Sequence, residues 1–194
     1  MTGAFRVPAP TNEPVRGYGP GSPERTALTD RLAAMAKERL EAPMVIGGRS
    51  VAGTSTFTVT APHRHSQVLA EVQAAGREHV WSAIEAALEA RAEWAAMPWT
   101  ERAGVFLRAA ELLAGPWRDT INAATMLGQS KTVYQAEIDA ACELIDFWRY
   151  NVAFAERIYA EQPVSAPGTW NRMEHRPLEG FVLAITPFNF TAIA

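Results

Sequence analysis

A chain of 194 residues, 48% hydrophobic and 20% charged, has the composition of a globular protein with room for one large domain or two small ones. Its 18 Lys and Arg against 21 Asp and Glu leave a net charge of −3, so nothing global calls for nucleic acid or an anionic membrane as partner. No apolar run approaches the roughly 20 residues that span a bilayer. The first twenty residues lack the apolar core of a secretory signal, and a single cysteine, Cys142, excludes an internal disulfide. Cytoplasmic placement is the expectation.

Residues 1–23 are rich in Pro and Gly and read as an extended arm of the kind that drapes over a partner surface. Ser22 followed by Pro23 then starts a helix expected to run to Glu41, with Pro43 ending it. From Met44 the texture turns β-like. "MVIGGRSV" predicts a strand entering a Gly-Gly turn, "STFTVTAP" a second strand, and "QVLAEVQAA" a third, short one. Helices follow. Glu78 to Ala96 carries Val80, Ile84, Leu88 and Trp94 near helical spacing. Thr100 is placed to cap a helix reaching Leu113 that buries Val105, Phe106, Ala109 and Leu112, and Pro116 opens another through Ile121 and Met126. The longest helix runs from Lys131 to Tyr159, uninterrupted by Pro or Gly. Asn171 to Leu178 alternates as a two-faced ribbon strand would, and Phe181 to Ile185 is the continuous apolar run of a strand buried on both faces. The chain stops inside that apolar stretch, whereas natural boundaries are usually polar. We therefore expect it to be part of a longer protein.

Motifs for phosphate, dinucleotide or paired-Cys metal binding are missing from the sequence. His63 and His65 flank Arg64 in the turn after Pro62 and read as solvated side chains. Cys142, beside Ala140 and Ala141, reads as a small buried hydrophobe and not as a nucleophile. Two positions carry more. Glu137 shares a helical stripe with Val133, Ala141, Leu144 and Trp148, where a carboxylate is either paired or sits at the stripe's edge in solvent. Asn189 lies between two Phe just past the apolar strand. There it either caps the next helix or donates its amide to a developing oxyanion.

"ITPFNFTAI" (Ile185 to Ile193) resembles the segment that carries the oxyanion-stabilising Asn in the aldehyde dehydrogenase superfamily. Its Phe-Asn-Phe-Thr form, together with "GQSKTVYQAEIDAACELIDFWRYN" (Gly128 to Asn151) and "RPLEGFVLAITPFNFTAI", is similar to the Δ1-pyrroline-5-carboxylate dehydrogenases of that superfamily. The resemblance covers roughly Pro43 to Ala194 and is strongest from Gly128. It implies an α/β fold with helices, the start of a Rossmann-like cofactor sheet and one strand of the ribbon that joins subunits. Residues 24–168 would be the helical part of the cofactor domain with a small β-element, 169–179 the ribbon strand, and 180–194 the first part of the core.

The reaction implied is NAD-dependent oxidation of L-glutamate γ-semialdehyde, a small-molecule aldehyde, to glutamate in proline catabolism. The full-length protein would be a homo-oligomer. Under this resemblance Asn189 is the catalytic oxyanion donor and Glu137 and Phe190 bind substrate, while Ile185, Thr186 and Pro187 lie along the cofactor. The nucleophilic Cys and the general-base Glu have no counterpart here, so the chain alone should be inactive. Two alternatives stay open: an interaction module that binds full-length subunits, and a related dehydrogenase with another aldehyde substrate.

Overall fold

The computed structural model describes residues 6–193; the expectations for residues 1–5 and for Ala194 lie outside them. The class is α/β. Helix α1 (Pro23–Met35) starts as its sequence demands, with the Ser22 side chain accepting from the Arg25 N–H and Pro23 in the first turn. It is shorter than expected. Lys37 and Glu38 donate back to Ala34 and Met35 in a tight turn, and Leu40–Ala42 becomes strand β1, paired in parallel with Ala70–Val72. Capture by a sheet edge, which local propensity does not reveal, ends the helix early.

The Gly-Gly turn is where the sequence puts it. Strands β2 (Met44–Ile46) and β3 (Arg49–Val51) pair antiparallel. Gly47 and Gly48 hold φ of 56° and 73°, the left-handed values that a two-residue hairpin requires and that Gly adopts freely. Strands β4 (Ser55–Ala61) and β5 (Arg64–Ala74) complete a second sheet in the order β1-β5-β4. β5 is long, not short, because it serves a neighbour on each edge.

Four helical stretches follow. α2 (Arg77–Ala96) packs on β2 and buries no residue fully. α3 (Trp99–Ala114) packs on α6, but its buried residues are Ala103, Ala110 and Leu113. Val105, expected inside, is 53% exposed, and Phe106 is exposed as well. Ala103 and Ala110, seven residues apart, let the two helix backbones approach, and that turns the bulkier side chains outward. Thr100 lies within the helix and not at its cap. α4 (Arg118–Gln129) ends at Ser130 in the left-handed region with φ 55°.

The long final helix is a composite. α5 (Val133–Ala136), capped by Thr132, leads into a π-helical turn over Glu137–Cys142 and then α6 (Glu143–Ala160). The core gathers Ala110, Leu113, Leu144 and Ile145, with Ile121, Trp148 and Ala192 against it.

Two irregular segments frame this body. The arm, described from residue 6, has no regular structure and is tied to its own chain. Val7 N–H donates to Glu156, and Asn12 and the Glu13 N–H donate to Asp146 at 2.7 Å each. Residues 161–193 differ from the expectation. Neither 171–178 nor 181–185 forms a ladder with any of the five strands, and Val182 and Ile185 are 80% and 86% exposed. A strand exists only through its neighbours, and neither segment is paired with an edge of the two sheets.

Candidate active site

The buried side of the π-turn carries Glu137, which is 0% exposed. Both of its oxygens are taken. Oε1 accepts from the Arg16 N–H at 2.8 Å and from Arg118 Nη2. Oε2 accepts from Tyr18 OH and Asn122 Nδ2, each at 2.8 Å, and from Arg118 Nε at 3.3 Å. Arg118 also donates to Glu13 and to the Pro14 carbonyl at 2.8 Å, and Arg149 pairs with the other Glu13 oxygen at 2.7 Å. Arg118, Asn122 and Thr125 form a polar stripe at helical spacing on the inner face of α4, all buried. Only this density of bonds makes an ionised carboxylate tolerable in an apolar interior.

The protonation states follow. Burial alone would raise the Glu137 pKa, but the bonds from Arg118, the Arg16 N–H, Tyr18 and Asn122 outweigh it and hold the group below the usual carboxylate range. Burial and the adjacent Glu137 charge push the Tyr18 phenol up. The same two causes push the Cys142 thiol up to about 11. Its Sγ lies 3.8 Å from Glu137 Oε1 and 3.4 Å from Arg118 Nη2. A buried thiol that resists ionisation is an inert side chain.

On the outer side of the same turn, Asp139 meets Lys131 Nζ at 2.9 Å. Lys131 donates in turn to the backbone carbonyl of Asn189 at 2.9 Å and stands 4.7 Å from the centre of the Phe190 ring. Around it, Gln129 Nε2 donates to the Phe188 carbonyl at 3.3 Å, and the Thr125 and Thr191 hydroxyls meet at 2.9 Å. The C-terminal end of α4 and the loop after it thus cradle residues 188–192.

Of the residues singled out from sequence, Asn189 and Phe190 are brought together with the π-turn through Lys131. Glu137 is on that turn, sealed against the arm. Ile185, Thr186 and Pro187 stand apart in the exposed stretch. His63 Nδ1 lies 2.8 Å from Ser130 Oγ, beside this loop. Sequence reasoning missed Lys131, Arg118, Asn122 and the arm's Tyr18. The stripe at 118, 122 and 125 was the available signal.

The pattern of the aldehyde dehydrogenase family matches residues 50–194. The chain belongs to the aldehyde dehydrogenase family. Within that family it is 58% identical to the Δ-pyrroline-5-carboxylate dehydrogenase from Mycobacterium tuberculosis, whose crystal structure holds NAD. That structure superposes with a TM-score of 0.97 over 100% of this chain and 36% of the other. It is 49% identical over 191 residues to the Δ1-pyrroline-5-carboxylate dehydrogenase of Agaricus bisporus, covering 97% of this chain and 35% of that protein. The mitochondrial enzyme of that name from Emericella nidulans is 50% identical over 191 residues, with 97% and 33% covered. The chain therefore spans about a third of the length of these aldehyde dehydrogenase relatives. No helix among the described residues is long and apolar enough to cross a membrane.

Proposed function

We propose that this chain is the N-terminal third of an NAD-dependent dehydrogenase that oxidises L-glutamate γ-semialdehyde to glutamate. Identity of about one residue in two along nearly the whole chain, to proteins named for that activity, carries the reading. In it Asn189 donates its side-chain amide to the oxyanion formed when a thiolate adds to the aldehyde. One such donor supplies about 3 kcal/mol of transition-state stabilisation. Phe190 walls the aliphatic part of the substrate.

Glu137 serves the site from beneath, by fixing the π-turn, since its carboxylate is sealed and fully bonded. Ile185, Thr186 and Pro187 would hold the nicotinamide end of NAD. Residues 180–193 hold no acidic side chain, so the segment suits an anionic dinucleotide. Bound there, NAD would supply the hydride acceptor. The nucleophile comes from outside this chain, because Cys142 is buried and its thiol is held protonated.

The same reading makes 169–179 a subunit contact, supported by the exposed Trp170, Met173 and Leu178. The test is NADH formation with the semialdehyde, by this chain alone and by the full-length protein that contains it. Activity in the longer protein only is the expected result. A full-length protein that purifies folded yet leaves this aldehyde untouched overturns the substrate assignment.

A further inference from the structure

We propose that Lys131 is a positioning residue that holds the Asn189 peptide in the orientation its amide needs for catalysis. The inference rests on the reading of Asn189 as the oxyanion donor.

Lys131 is itself fixed from both sides. Ser130, with φ 55°, ends α4 just before it. Just after it, the Thr132 hydroxyl accepts from the Gln135 N–H at 3.3 Å while the Gln135 side chain accepts from the Thr132 N–H at 2.9 Å. This reciprocal cap leaves the intervening residue little freedom. The side chain is only 18% exposed, and its charge is matched by Asp139 at 2.9 Å.

Of the ammonium's three donors, one goes to Asp139 and one to the carbonyl of Asn189 itself, with the Phe190 ring packed against the charge at 4.7 Å. Charge-assisted bonds of this sort are about twice as strong as neutral ones. The other ties to the turn, from Gln129 to Phe188 and from Thr125 to Thr191, are neutral. Gln129 holds the preceding peptide, which carries the Asn189 N–H, through that neutral bond, and Lys131 holds the following one through a charged bond. Lys131 acts on the peptide plane from which the amide projects and leaves the side chain free to point elsewhere.

Asp139 does not float. It sits two residues after Glu137 on the π-turn, so the buried ion cluster, the turn, Asp139, Lys131 and the Asn189 carbonyl form one mechanical series. An oxyanion donor works because it is held in place before charge develops, and a donor whose peptide rocks loses part of that advantage.

The test uses the full-length enzyme that carries this chain, with Lys131→Met and Lys131→Arg, read by steady-state kinetics and by backbone hydrogen exchange at residues 188–191. For Lys131→Met we expect kcat to fall about tenfold, part of the roughly 10²–10³-fold cost of losing a donor outright. KM for the aldehyde should move by less than about twofold, the pattern of an interaction made only in the transition state. Exchange should quicken, and Lys131→Arg, which keeps charge and donors, should recover most of the rate.

Unchanged kcat in Lys131→Met overturns the proposal, and so does a fall in kcat without faster exchange. If the wild type forms no NADH with any aldehyde while Lys131→Met still quickens exchange, the proposed function fails. The pin is then structural and its catalytic role is overturned with it.

Discussion

Among the described residues, 6–19 and 161–187 lack helix and strand, yet they are held in opposite ways. The arm, residues 6–19, is fastened through charged and polar groups. Glu13, Arg16 and Tyr18 reach side chains more than a hundred positions away in sequence, buried or half-buried on α4, the π-turn and α6. Residues 177–187 carry one charged side chain, Glu179, and their large apolar residues Leu178, Phe181, Val182, Leu183 and Ile185 stand exposed. The contrast teaches that extended backbone needs a source of order outside itself. A polar strap can take it from side chains one at a time. An apolar run can take it only from a sheet or a surface that covers it whole.

The comparison breaks most sharply at Arg118. Arg118→Ala leaves the Glu137 carboxylate buried without its cation, and removal of one partner of a buried pair costs about 3–5 kcal/mol. Chemical denaturation of the variant against wild type measures it. A loss below about 1 kcal/mol would mean that the cluster is wetter than its geometry shows. Tyr18→Phe removes a single donor to a charged acceptor and should cost about 1.5–3 kcal/mol, together with faster proteolysis of the arm.

Acid should act on the arm end selectively. The folded-state pKa of Glu137 is depressed, so its contribution to stability is whole above the ordinary carboxylate range and is lost as pH falls through its lower folded value. Hydrogen exchange across the arm followed downward from pH 5 should show it. Alkali works in the reverse direction on Cys142. The unfolded thiol ionises near pH 8.5, the folded one only at about 11, so stability declines as pH rises between the two. Alkylation of the native thiol should stay slow at pH 9. At the other end of the scale, Ile185→Ser in this chain should change stability by less than about 0.5 kcal/mol, as exposed substitutions do. A larger loss would show that the segment is packed.

Much of the fold is legible where the cause is local. Ser22-Pro23 starts α1, Gly47-Gly48 turns the hairpin, and the spacing in 77–96 and 133–160 yields helices. What escapes reading is set at a distance. β1 exists because β5 lies beside Leu40–Ala42, and α3 turns Val105 outward because two alanines meet α6. The π-turn replaces α-helix in a stretch without Gly or Pro to announce it. Glu137 was legible as a carboxylate in an apolar stripe, and the structure resolves the open choice toward a paired, buried group. Its partners, 15 to 121 residues away, were not. Asn189 was picked out by its position between two Phe, whereas Lys131 gave no sign, since a lysine in a loop looks like any solvated cation.

The strap also fixes an order of events during synthesis. Arg16 leaves the ribosome 121 residues before Glu137, the group its amide will bind. At about 5–20 residues per second that is an interval of roughly 6–24 s. Throughout it the nascent arm lacks the carboxylate it will grip, and it must stay free of early tangles until the helix it belongs on has emerged. Its makeup of prolines and polar residues, unable to collapse alone, suits a segment that has to wait.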